Sequence, residues 1–108
     1  MYKLCFFVPA SHVEQVKQAV FAAGAGRLGN YDSCSWQVLG QGQFRPLSGS
    51  EPYLGQTGVV EQVSEYRVET LCAGDCIEAV IEALRHAHPY EEPAFDVWRL
   101  EAHLMQRR

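Results

Sequence analysis

His88-Pro89-Tyr90-Glu91-Glu92-Pro93-Ala94-Phe95-Asp96-Val97 is the stretch where one backbone periodicity gives way to another. Before it, Ile77, Val80, Ile81 and Leu84 recur at helical spacing and predict a helix running to about Ala87. After it, Ala94 to Leu100 alternates as a strand does, with Phe95 and Val97 on one face and Trp98 and Leu100 on the other. Pro89 cannot continue a helix and pushes His88 towards extended backbone, while Pro93 braces the far side. The stretch therefore reads as helix stop, rigid corner, strand start. The corner holds one imidazole, one phenol and two adjacent carboxylates, which makes it a candidate site. The plainer alternative is that the prolines only end the helix and the glutamates are solvated.

Upstream, Tyr2 to Val8 alternates as a strand, and Pro9-Ala10 breaks it. Ser11-His12-Val13-Glu14 has the form of a capping box, with Ser11 as N-cap, His12 exposed, and a helix carried by Val13, Val16, Val20 and Ala23. Gly24 and Gly26 end that helix. Ser33 to Phe44 predicts a second strand, with Gly40 and Gly42 marking a bulge or a close backbone approach. Gly40-Gln41-Gly42 is no phosphate loop, since neither Lys-Ser/Thr nor a helix start follows. Arg45 to Gly58 is too rich in proline and glycine for a regular element, and a loop of that length in so small a domain carries function or moves.

Val59 to Cys72 predicts the third strand, in which Glu65, Arg67 and Glu69 make cross-strand pairs or face a wet cleft. Asp75-Cys76-Ile77-Glu78 repeats the capping logic ahead of the second helix. The element order β-α-β-β-α-β is the ferredoxin-like plan, an α+β sandwich of a four-stranded antiparallel sheet with two helices on one face. The uncovered face then displays Phe7 or Phe6, Trp36 or Leu39, and Trp98 or Leu100, according to register. Exposed apolar surface of that kind predicts self-association.

At 108 residues the chain has the length of one domain, expected to span residues 1–103, with 104–108 a frayed polar tail. A net charge of −4 offers no electrostatic attraction for nucleic acid or anionic membrane. No apolar run has the length of a membrane span, and Met1-Tyr2-Lys3-Leu4 lacks the form of a signal peptide, so a soluble cytoplasmic protein is expected. Cys5, Cys34, Cys72 and Cys76 form no C-x-x-C pair and are expected as free thiols. Cys76, at a helix start, is placed to favour a thiolate, and structural zinc at Cys72 and Cys76 needs two further ligands.

Several of these stretches together resemble a known family over nearly the whole length. Phe7-Val8-Pro9, Ala23-Gly24-Ala25-Gly26, Gly29-Asn30-Tyr31 with Cys34 and Trp36, and Gly40-x-Gly42-x-Phe44-Arg45-Pro46 carry the likeness. Pro52-Tyr53-x-Gly55, Glu65-x-Arg67-x-Glu69 and His88 to Ala94 complete it. The chain resembles the PII/CutA-like accessory domain of Nif-three-like proteins, the GTP cyclohydrolase type-2 homologues. The resemblance implies a PII/CutA-like fold and a homo-oligomer, trimer favoured over dimer. The parent family's two-metal centre sits in a flanking domain that these residues do not supply, so its hydrolytic chemistry is not implied here.

Three functions remain open. One is a binding or regulatory module, with Arg45, Tyr53, His88, Tyr90, Glu91 and Glu92 as ligand-binding residues and His88, Glu91 and Glu92 as donors for a divalent metal. Another is a purely structural oligomerisation domain. The third is a small hydrolase with Glu91 or Glu92 as base and His88 as acid, although no nucleophile is identifiable. Taking strands one and three as parallel, with two and four opposed to them, puts the long loop and the corner at opposite ends of one subunit. Unless the loop folds back, a joint site is then expected to form only between subunits.

Overall fold

The computed structural model describes residues 1–105. The elements run β1 (Tyr2–Pro9), α1 (Val13–Ala22), β2 (Ser35–Phe44), β3 (Glu61–Cys72), α2 (Ile77–Ala87), β4 (Phe95–Arg99) and a short α3 (Ala102–Met105). The four strands form one sheet in the order β2-β3-β1-β4, antiparallel at every pairing. The ferredoxin-like α+β fold is therefore present. Of the stretch expected as a frayed tail, Leu104 and Met105 lie in α3, and 106–108 fall outside the described residues.

The strand directions differ from the expectation in a way that decides the site. β3 pairs antiparallel with both β1 and β2, so β1 and β2 run parallel to each other. β4 is antiparallel to β1 and so runs with β3. The physical reason is the crossover: a helix returning along the sheet brings the chain back to the end where the first strand began, so the next strand repeats its direction. Strands one and two share a direction, as do three and four, rather than one with three.

Leu4, Phe6 and Val8 project from β1 into the layer between sheet and helices, where they meet Val16 and Val20 of α1, Val80 and Leu84 of α2, and Val68 of β3. All eight are fully shielded from solvent. Phe6 is thus the core phenylalanine, and the alternation turns Phe7 to the other face. Register places Trp36, Val38, Arg67, Glu69, Lys3, Asp96 and Trp98 with Phe7 on the uncovered face. Lys3 and Arg67 pair with Glu69 at 3.1 and 3.3 Å, flanked by Trp36 (57% exposed) and Trp98 (45%). The open face is therefore a charged ladder between two tryptophans. Leu39 lies on the helix side but at the sheet's edge, beyond helical cover, and remains exposed.

Neither predicted capping box forms. His12 is the N-cap of α1 and Cys76 of α2, without a side-chain cap bond at either. The Ser11 hydroxyl instead meets His12 Nδ1 at 2.8 Å. Cys76 Sγ donates to the Asp75 carboxylate at 3.5 Å, and that bond, with burial and the adjacent negative charge, raises its pKa. The thiolate expected at this helix start is disfavoured. Gly40 and Gly42 create no bulge, since β2 and β3 pair without interruption from Ser35↔Thr70 to Phe44↔Glu61.

All four cysteines are free. Thiol titration of denatured protein, prepared without reductant, is expected to match a reduced sample. A deficit of two thiols would reveal a disulfide, with Cys72 and Cys76 the first pair to examine.

Candidate functional site

β1 ends at Pro9 opposite Glu65, but β2 and β3 continue together as far as Phe44 and Glu61. Their hairpin projects past the rest of the sheet. The chain between them folds back from this projecting end. β4 begins at the same end, where the Ala94 carbonyl accepts the Phe7 N–H at 3.1 Å. Loop and corner therefore meet within one chain, correcting the expectation that a joint site needs a second subunit. The Glu51 N–H donates to Glu91 Oε1 across the junction at 3.2 Å.

Aromatic side chains line that junction. The Tyr90 ring lies 5.7 Å from Phe44 and 6.2 Å from Tyr53, and Tyr53 stands edge-on to His12 at 5.6 Å. His12, expected to be exposed, is half-buried by this contact. A cleft of about 400 Å³ opens between loop and corner. Arg45, Tyr53, Tyr90, Glu91 and Glu92 all line it.

His88 stands behind the cleft. Its ring is buried, Nε2–H donates to the Phe7 carbonyl at 2.7 Å, and Nδ1 accepts the Tyr90 N–H at 3.1 Å. Those two partners define the neutral Nε2–H tautomer. Burial lowers the His88 pKa, opposed by the bond to Phe7 and assisted by nearby His12. His88 is thus a positioning residue that ties the corner to β1 and sets the direction of Tyr90.

This arrangement does not fit the metal set drawn from the sequence. Both His88 nitrogens already hold backbone partners, and among the described residues no three His, Cys, Asp or Glu side chains gather as a metal site requires. His88, Glu91 and Glu92 are therefore not gathered around one point among the described residues.

Two features of the cleft escaped the sequence pattern. The Tyr90 hydroxyl is buried and has no hydrogen-bond partner among the described residues. Its pKa is raised by burial first, then by the charge of Glu65. Glu65 also lines the cleft, and burial raises its carboxyl pKa. Its carboxylate lies against Gly42, where a Cβ would overlap it. Gly42 therefore permits a close side-chain approach. Only the register, which sets Gly42 opposite Val63 and so diagonal to Glu65 on one face, links the two.

The fold is that of the PII/CutA-like proteins. CutA from Nostoc superposes with a TM-score of 0.68 over 96% of this chain and 85% of that one, at 17% identity. CutA1 from Pyrococcus horikoshii gives 0.66 over 94% and 84%, at 16% identity. Sequence likeness is higher to another group. The chain is 49% identical over 98 residues to the GTP cyclohydrolase 1 type 2 homolog of Mycobacterium leprae, and 42% identical over 99 residues to that of Bacillus subtilis. These alignments take in 91% and 92% of this chain. A Bacillus cereus protein related to NIF3 superposes with a TM-score of 0.79 at 41% identity, over 93% of this chain and 25% of that one. The chain spans about a quarter, 26%, of the length of the curated relatives it matches. No protein-family model matches it. This chain is accordingly a homologue of the CutA-like segment of Nif3-like proteins.

Proposed function

We propose that this chain is a non-catalytic, oligomeric binding or regulatory module of the PII/CutA-like type, with a small ligand held where the long loop meets the corner. One observation carries this reading: an aromatic-walled cleft contains a buried hydroxyl, that of Tyr90, with no partner among the described residues. A buried hydroxyl without a hydrogen bond costs stability, and convergent polar groups in an apolar cleft are the usual form of a small-molecule site. Arg45, Tyr53, Glu91 and Glu92 are the remaining contact residues of this proposal, and His88 holds the corner in place.

A structural oligomerisation role is the second reading, favoured by the exposure of Trp36 and Trp98 on one open sheet face. The two readings are compatible, and a homo-oligomer is part of both, trimer favoured over dimer by the resemblance to CutA. The hydrolase reading has less support, because His88 as general acid would have to break the bonds that hold the corner. Residues 1–103 are proposed as one domain, and the cytoplasm as its compartment. Among the described residues no helix is long and apolar enough to cross a membrane.

Native mass spectrometry of freshly purified protein tests assembly and retention together. The expected spectrum is that of an oligomer, with an additional small mass per subunit that denaturation releases. An oligomer at its bare mass, unchanged by small-molecule extracts, would overturn the binding reading and leave the structural one.

A further inference from the structure

We infer that the cleft takes a planar aromatic or heteroaromatic ligand bearing a cationic N–H donor group, with the Glu65 carboxylate and the Tyr90 hydroxyl as its acceptors. This rests on the binding reading above and adds the class of ligand.

Shape supplies the first part. Phe7, Phe44, Tyr53 and Tyr90 contribute ring faces or edges to one cleft, which suits a flat occupant better than a branched one. Charge supplies the second. The lining holds three carboxylates, Glu65, Glu91 and Glu92, against one guanidinium, Arg45. Glu61 adds a further negative charge near the Tyr90 hydroxyl. An anionic ligand reaching for Arg45 would face these acids, whereas a cation meets attraction on most sides and gains from the aromatic faces.

Hydrogen bonding supplies the third. The Tyr90 oxygen, without a partner among the described residues, can accept a ligand N–H. Glu65 reaches the cleft because Gly42 leaves room for its carboxylate. Burial raises its carboxyl pKa, and among the described residues no salt bridge reaches it. An N–H donor placed between Glu65 and Tyr90 satisfies both groups at once.

Three isosteric probes separate the components: benzamidine, a planar cation; benzamide, its neutral analogue; and benzoate, an anion of the same outline. Each is titrated into isotope-labelled protein and followed by amide NMR. Benzamidine is expected to shift the amides of Glu51, Tyr90 and Ala94 saturably, with benzamide weaker and benzoate without effect at these positions. Glu65→Gln and Tyr90→Phe should each weaken benzamidine about tenfold while leaving distant amide signals in place. Gly42→Ala, which displaces Glu65 without removing its charge, should weaken it as well.

Benzoate binding in the cleft as tightly as benzamidine would overturn the ligand class and leave the binding site standing. Unchanged benzamidine affinity in both Glu65→Gln and Tyr90→Phe would overturn the assigned acceptors. If none of the three probes moves the cleft amides, the ligand class falls, while the binding reading stands or falls with the mass of the native assembly.

Discussion

His88→Ala is expected to destabilise the chain by about 3 kcal/mol and to release the corner from the sheet. The imidazole joins the Phe7 carbonyl of β1 to the Tyr90 N–H, and it is buried among the groups it links. Truncation leaves a buried acceptor and a donor without partners and opens a cavity where the ring stood. Either loss alone costs on the order of 1–3 kcal/mol, and they arise together here. Urea denaturation of wild type and variant measures the difference. Amide exchange should show faster opening at Tyr90 and Glu91 than in α1. A change below about 0.5 kcal/mol would mean that the prolines hold the corner unaided.

The same residue makes stability depend on pH. Burial lowers the folded-state pKa of His88 from its ordinary 6.5, so the unfolded chain takes up this proton first as pH falls. The His88 contribution is intact above about pH 6.5 and is lost as pH drops below that value through the folded pKa. Glu65 acts with opposite sign. Its raised folded pKa makes its contribution complete below the ordinary 4.5 and lost as pH rises through the folded value. The decline below pH 6.5 should disappear in His88→Ala, which denaturation midpoints measured between pH 5 and 8 will resolve.

Trp36→Glu combined with Trp98→Glu is expected to weaken self-association at least about a hundredfold. The two indoles flank the Lys3–Glu69–Arg67 ladder on the face the helices leave bare. Large aromatic side chains at the centre of an interface are each worth roughly 2 kcal/mol or more, and a buried glutamate in their place adds desolvation and like-charge repulsion from Glu69 or Asp96. Light scattering at micromolar concentration should report an oligomer for the wild-type chain and a monomer for the double variant. Leu28→Glu, equally exposed but in the α1–β2 connection, should leave assembly unchanged. A wild-type monomer would remove the oligomeric part of the proposal.

Sequence pattern alone carried the element order and most of the core. The period-two alternation of Tyr2 to Val8 and the helical spacing of Val80, Ile81 and Leu84 are local properties, readable because burial on one face repeats with the backbone's own period. The corner was legible for the same reason, since Pro89 and Pro93 constrain their own torsions whatever surrounds them. Tyr53, Tyr90, Glu91, Glu92 and Arg45 were identifiable as residues of two special loops.

Tertiary structure decided how these parts meet. Strand direction follows from a crossover through space, and it moved the joint cleft from between subunits to within one chain. His88 changed from a candidate ligand to a positioning residue because its ring bonds to Phe7, a residue 81 positions away. Glu65 joined the cleft because cross-strand register sets it beside Gly42. Ser11 and Asp75, by contrast, had the local form of helix caps, yet their oxygens met His12 and Cys76 side chains instead. A polar atom bonds whatever partner the fold delivers, and that delivery depends on long-range packing which no local periodicity encodes.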